Sequence, residues 1–226
     1  MSPVIPIRAP RAPEIGILDL QGGIQEHLDH LERLGIDARR IKTADALSDV
    51  AGLILPGGES TCIARLLAIF GLDQVILREV RRGMKLWGTC AGTILVAKTL
   101  VGEPAHLGLI DITVERNGFG SQLDSFAAEA VIPKVSPDPI PLTFIRAPKI
   151  THAGPGVEIL LQIDDYIAAA ESSDVLVTVF HPELTPCLAL HHYFACKCGL
   201  IPQETGGPVL DPSWKTTSWT RLARLP

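Results

Sequence analysis

No CxxC pair occurs in this chain, and its five cysteines (Cys62, Cys90, Cys187, Cys196 and Cys198) are odd in number. Nothing marks the sequence for secretion, so this usage argues against a disulfide framework and for a reduced, cytoplasmic setting. No apolar run approaches the ~20 residues that a membrane-spanning helix needs. Basic charge is not in excess either: the net charge is -5, which leaves no footprint for nucleic acid or an anionic membrane surface. Neither is expected as a partner. Internal repeats and low-complexity tracts are also missing. The opening MSPVIPIRAPRAPE lacks the apolar core of a signal peptide, and residues 1–13 read as a flexible extension. What remains, 226 residues at 46% hydrophobic and 20% charged, suits one globular domain with a sizeable core. We place that domain at residues 14–199, followed by a mobile tail, 200–226, rich in Pro, Gly, Ser and Thr.

Strand and helix patterns alternate through the first hundred residues. EIGILDL reads as a strand, and IQEHLDHLERLG as a helix with Ile24, Leu28, Leu31 and Leu34 on one face and Gly35 as its stop. DARRI and GLILP are further strands, with ADALSDV between them as a short helix. STCIARLLAIFG reads as a helix capped by Ser60, MKLWG as a strand and CAGTILVAKTL as a helix. This alternation predicts an α/β fold, a three-layer, flavodoxin-like arrangement with a mostly parallel central sheet and helices on both faces. The middle differs: ITVERN, AAEAVIP, PLTFIRA, EILLQI, YIAAAES and VLVTVFHP read as strands without intervening helices. A last helix is expected over 186–198.

Ligands of such sheets collect at the carboxyl ends of the strands. Four turns fall there: LQGG, PGGES, WGTCAG and FHPE. GTCAG fits a nucleophile elbow, glycine-x-nucleophile-x-glycine, in which Gly88 and Gly92 supply the small neighbours that a sharp turn demands. The elbow would set the Cys90 sulfur at a helix start and aim the Ala91 amide at an oxyanion. The plainer alternative is a buried structural cysteine. A thiolate needs a base and an orienting group. His181 and Glu183, two apart on an extended backbone, supply both from one face. The other histidines, His27, His30, His106, His152, His191 and His192, read as surface or satisfied residues. PGGES offers backbone amides as an anion cradle but lacks a P-loop lysine. Arg116 and Arg146 are either solvated strand ends or partners for a substrate carboxylate. Cys187, Cys196 and Cys198 with His191 and His192 match no standard zinc spacing, so no metal site is expected.

Taken in order, LDLQGG–EH, LILPGGEST, LWGTCAG, LGLIDITVERNGFG, FIRAP and FHPELT resemble the class I, triad-type glutamine amidotransferases, and among them the glutaminase subunits of pyridoxal 5'-phosphate synthase. The resemblance runs from about Ile15 to Cys198. It implies hydrolysis of L-glutamine to glutamate and ammonia through a Cys90 thioester, with His181 and Glu183 completing the triad. It further implies glutamine binding by Gly58, Glu59, Ser60, Arg116, Ile145 and Arg146, and a second oxyanion element at Gln21 and Gly22. Ammonia would pass to a barrel-shaped synthase subunit in a hetero-oligomer, and this chain would hold no cofactor itself. Departures from the family pattern are Gly23, Ser121, and Pro186 with Cys187 after HPELT. The first fourteen residues and the tail after Gly199 have no counterpart in that pattern. Two alternatives keep the fold: a glutaminase that serves a different synthase, and a catalytically silent regulatory subunit.

Overall fold

The computed structural model describes residues 14–116 and 125–203. The N-terminal extension, Ser121 and the tail beyond Gln203 lie outside the described residues. The expected alternation is present as β1 (Glu14–Leu18), α1 (Ile24–Arg33), β2 (Ala38–Ile41), β3 (Val50–Leu55), α2 (Ser60–Ile69), α3 (Leu72–Arg81), β4 (Lys85–Thr89) and α4 (Ala91–Val96). A strand-rich stretch follows: β5 (Ala97–Leu100), β6 (Ile110–Glu115), β7 (Phe126–Ile132), β8 (Ser136–Phe144), β9 (Lys149–Ala153), β10 (Glu158–Ile163), β11 (Tyr166–Glu171) and β12 (Val175–Thr178). The last helix is α5 (Ala189–Lys197).

The main sheet runs β2-β1-β3-β4-β12-β11-β9-β6-β5, with β10 paired to β11. Strands β2, β1, β3, β4 and β12 are all parallel. The sheet continues antiparallel through β11, β9 and β6, and closes with the parallel pair β6–β5. β7 and β8 form a separate antiparallel ribbon. Adjacent residues of β4 show how the layers stack, because successive side chains on a strand point to opposite faces. Trp87 packs against His27 of α1 and against His191 and Phe194 of α5. Gly88, its neighbour, faces the backbone of α4 at Gly92 and Thr93. Helices therefore cover both faces of an α/β sheet, which explains why β1, β3 and β4 are near-continuous apolar runs.

Several boundaries differ from the sequence expectation. ADALSDV makes only a 3-10 turn, Asp45–Leu47. The cap of α2 is Glu59, whose carboxylate accepts from the amides of Thr61 (3.3 Å) and Cys62 (2.7 Å); Ser60 is the first helical residue. An anionic acceptor there opposes the positive end of the helix dipole as well as satisfying free amides. CAGTILVAKTL is helical only to Val96, where all six helical residues are buried; Ala97–Leu100 then pairs with β6 and exposes Lys98 and Thr99. β5 and β9 were not anticipated from the sequence. α5 begins at Ala189, three residues later than expected. Residues 200–203, grouped with the tail by composition, fold back: Gln203 donates its amide to the Leu34 carbonyl at 2.9 Å. Among the described residues no single helix is long and apolar enough to cross a membrane.

α1 ends as expected at Gly35, by a double turn closure. The Ile36 amide donates to the Leu31 carbonyl and the Gly35 amide to the Glu32 carbonyl, both at 2.9 Å, with Gly35 at φ +66°. That left-handed conformation is the one such a cap needs and a Cβ disfavours. A Cβ at Gly35 would also press on the flexible side chain of Gln203. Gly35→Ala is therefore expected to destabilise the fold by about 1–2 kcal/mol, read as a lower urea midpoint at unchanged m-value. An equal midpoint would show that the cap is not strained by alanine.

Candidate active site

The parallel strands end side by side, and the four turns singled out in the sequence lie at those ends. They enclose one cleft of about 410 Å³. Cys90, Ala91 and Ile94 contribute from the elbow and α4; Gln21 and Gly22 come from the turn after β1, and Gly58, Glu59 and Ser60 from the loop after β3. Arg116, Ile145, Arg146 and His181 complete the wall. Eleven of the twelve residues expected at the site thus line one cavity. The twelfth, Glu183, lies behind His181, 1% exposed.

The elbow is built as its glycines require. A Cβ at Gly88 would sit 2.5 Å from the Gly92 carbonyl carbon, and one at Gly92 only 2.1 Å from the Leu55 carbonyl oxygen. Both contacts are with backbone, so neither can yield by a side-chain turn. Cys90 itself adopts φ +47°, ψ -105°, a conformation rarely open to a residue with a Cβ. Its amide is pinned to the Thr178 carbonyl at 2.8 Å, and the Thr93 hydroxyl lies within 3.1 Å of the Gly88 carbonyl and 2.9 Å of that of Thr178. The neighbouring strand and the first turn of α4 together hold the strained Cys90 in place.

His181 follows β12 and opens a 3-10 turn, Pro182–Leu184. The sequence placed His181 and Glu183 on one face of an extended strand; the tight turn performs that pairing instead. The His181 Nδ1 is 2.7 Å from Glu183 Oε1, and its imidazole lies beside Cys90, close enough for the sulfur to act on it. The His181 amide donates to the Thr143 carbonyl at 2.8 Å, which fixes the ring's origin. Burial alone would push the imidazole pKa down. The Glu183 carboxylate and the Cys90 sulfur overcome that and hold it well above the ordinary value. Burial would likewise raise Glu183, but the adjacent His181 holds it below the usual carboxylate range. The Cys90 Sγ is 3.8 Å from the Ile145 carbonyl, on the segment where Arg146 takes φ +47°.

At the opposite side of the cleft, Arg116 is held by two carboxylates. Its guanidinium is 3.2 Å from Glu59 Oε1 and 2.9 Å from Glu103 Oε2. The Cys62 amide keeps the Glu59 carboxyl below its ordinary range. Gln21 Oε1 accepts from the Glu59 amide at 3.1 Å and ties the first turn to the second. Gly22 lies so close to the Gly57 carbonyl that a Cβ would come within 1.7 Å of it.

Several residues of the site escaped the sequence reading. Gly57 meets the ring: a Cβ there would be 2.4 Å from His181 Cε1. Its only signal was its place in PGGES. Glu103 gave none. His27, filed with the ordinary histidines, lies 3.6 Å from Glu183; the signal available was its position on the apolar face of α1. Among the described residues no group of His, Cys, Asp and Glu is placed to hold a metal ion.

Comparison with known proteins agrees with this geometry. Residues 17–199 match the SNO glutamine amidotransferase family. A protein of Syntrophus aciditrophicus named pyridoxal 5'-phosphate synthase subunit PdxT is 59% identical over 214 residues, covering 94% of this chain and 96% of its own. That alignment is longer than the span 14–199, so this relative shares sequence that flanks the domain. A protein of the same name from Ruminiclostridium cellulolyticum is 48% identical, over 80% of this chain and 97% of its own. A crystal structure described as a glutamine amidotransferase superposes with a TM-score of 0.78 at 39% identity, over 82% of this chain and 99% of that one. PurLQS from Thermotoga maritima, at 18% identity and a TM-score of 0.59, shares the fold. Matched across nearly all of its described residues and at this level of identity, the chain belongs to the SNO glutamine amidotransferase family.

Proposed function

We propose that this chain hydrolyses L-glutamine to L-glutamate and ammonia, and that it works in the cytoplasm as the glutaminase subunit of a pyridoxal 5'-phosphate synthase. The observation that carries the chemistry is the sequence of neighbours Glu183, His181 and Cys90, ending on a strained elbow inside the cleft. With Glu183 beside Nδ1, the other ring nitrogen is left for the sulfur, and His181 can hold the thiol proton. The Cys90 thiolate attacks the side-chain amide carbon of glutamine. The carbonyl becomes an oxyanion, which we assign to the Ala91 amide and the Gln21–Gly22 turn. His181 gives its proton to the amide nitrogen, the C–N bond breaks, ammonia leaves and a thioester remains. A water then loses a proton to His181 and attacks the thioester; glutamate departs and Cys90 returns as thiolate beside imidazolium.

The cleft is of a size for one amino acid. Arg116 and Glu59, of opposite charge on its wall, suit the two charged ends of an α-amino acid, and Gly58, Ser60, Ile145 and Arg146 complete the binding surface. The relatives named subunits of pyridoxal 5'-phosphate synthase support a hetero-oligomer; in it, on our reading, the ammonia passes to a barrel-shaped synthase subunit. The nearby Gly22–Gly57 contact is a point where docking can adjust the oxyanion turn.

Glutamate release, assayed with and without the synthase subunit, tests this reading. Stimulation by the synthase is expected, and Cys90→Ala and Glu183→Gln should each lower the rate by roughly 10³-fold or more. Full activity in Cys90→Ala would sink the mechanism. The pH dependence has a definite sign. Ammonia leaves with a proton from His181, so the rate falls only as pH rises through the raised His181 pKa. Removing the carboxylate charge lowers that pKa. The alkaline limb of the residual Glu183→Gln activity should therefore move to lower pH; an unmoved limb would mean that Glu183 does not hold His181 protonated.

A further inference from the structure

Behind the triad lies a group of buried side chains that glutamine does not touch. Glu183 uses one oxygen, Oε1, for His181 at 2.7 Å. Its other oxygen, Oε2, is sealed from water and has no hydrogen-bond partner among the described residues. Nε2 of His27 is 3.6 Å away, and that nitrogen also lacks a hydrogen-bond partner among the described residues. A buried carboxylate oxygen and a buried ring nitrogen, each unsatisfied, thus face one another. Leaving either alone is unfavourable, and a small closure makes the bond.

The rest of the imidazole decides which way the proton points. His27 Nδ1 is 2.8 Å from Nε2 of His191, on α5. One of these nitrogens must donate and the other accept. If His27 donated from Nδ1, its Nε2 lone pair would confront the carboxylate. If His191 donates from Nε2, His27 carries its proton on Nε2, aimed at Glu183. The second arrangement is the favourable one. Both rings are neutral in it, in keeping with burial, which lowers His27 to about 4 and His191 well below its ordinary value. Trp87 packs edge-on against both rings, with centroids 5.7 and 5.0 Å away. His30, one turn along α1, has Nε2 at 2.9 Å from the Thr185 carbonyl, just past the turn that carries Glu183. The charged or titratable groups around Glu183 are thus His181 on its own segment, His27 and His30 from α1 and His191 from α5. Glu26 also lies close by, on the Gly23 side of Glu183.

We propose that His27 is a positioning residue for the glutaminase reaction: its Nε2–H holds the outer oxygen of Glu183, and His191 fixes the tautomer that lets it do so. This rests on the triad reading above and extends the line of contacts to His191–His27–Glu183–His181–Cys90. Without that donor the buried carboxylate loses a bond to its charged form, becomes easier to protonate and orients His181 less well.

Two polar replacements separate this role from mere packing. Glutamine places an amide nitrogen near the position of Nε2, whereas asparagine places one near Nδ1 and cannot reach Glu183. His27→Gln should keep most of the activity. His27→Asn should lose about 10–100-fold in kcat, the range seen when the hydrogen-bonded support of a site residue is removed, with KM within about twofold. Its acid limb for alkylation of Cys90 by iodoacetamide, measured on the chain alone, should move to higher pH. His191→Leu, which frees the tautomer without removing the donor, should fall between the two. Thermal unfolding of each variant shows that it is folded. The proposal is overturned if folded His27→Asn keeps the wild-type kcat and acid limb, or if His27→Gln and His27→Asn lose activity equally with unmoved limbs. Cys90→Ala and Glu183→Gln are assayed alongside. If these stay active, the triad reading itself fails; if they are inactive while His27→Asn is normal, only the role of His27 does.

Discussion

A negative charge sealed from water is the constraint around which this molecule is arranged. Glu183 is 1% exposed, and such an anion persists only where its surroundings replace the solvent it has lost. His181 replaces it on one side, and that same contact helps hold the imidazole pKa well above its ordinary value. The fold's task is to bring these groups together from distant parts of the chain. Parallel strands β4 and β12 are neighbours, so the elbow after one and the histidine after the other emerge side by side. The amide of Cys90 is bonded directly to the last residue of β12, which sets the separation of Cys90 and His181 by backbone rather than by side-chain choice.

The two faces of the sheet divide the work. On the α4 face, Gly88, Gly92 and Leu55 bring backbone against backbone, which permits the sharp elbow. On the α1 and α5 face, Trp87 and three histidines fill the space behind Glu183. Polar rings in that layer are unusual for a core, but carbonyls and the rings themselves supply hydrogen-bond partners to most of their nitrogens. A core of leucines would have packed as well and left the anion without support.

What could be read from the sequence followed from local rules. The glycine spacing of GTCAG gave the elbow, because the close approach of Gly88 to Gly92 lies within five residues, although the demand at Gly92 itself comes from Leu55 on β3. Gly35 gave the end of α1 for the same reason. FHPE gave the pair, though by a 3-10 turn in place of an extended strand. Readings failed where long-range contacts decided the outcome. AKTL has a helical neighbour and becomes a strand only because β6 is there to pair with it. Ser60 is a good cap by residue type, yet Glu59, tied by its backbone amide to Gln21 and by its carboxylate to Arg116, takes that place. His27 looked like any histidine because its significance depends on residues 156 and 164 positions further along the chain, Glu183 and His191.

The backbone at Cys90 has a meaning for the history of the protein as well as for its chemistry. At φ +47° and ψ -105°, glycine is the residue the fold itself would favour. Selection for stability alone therefore pushes position 90 away from cysteine, and under the proposed function the need for a sulfur is what keeps it there. On that reading, a copy of this chain released from catalysis would gain stability by losing the side chain that the proposed chemistry needs.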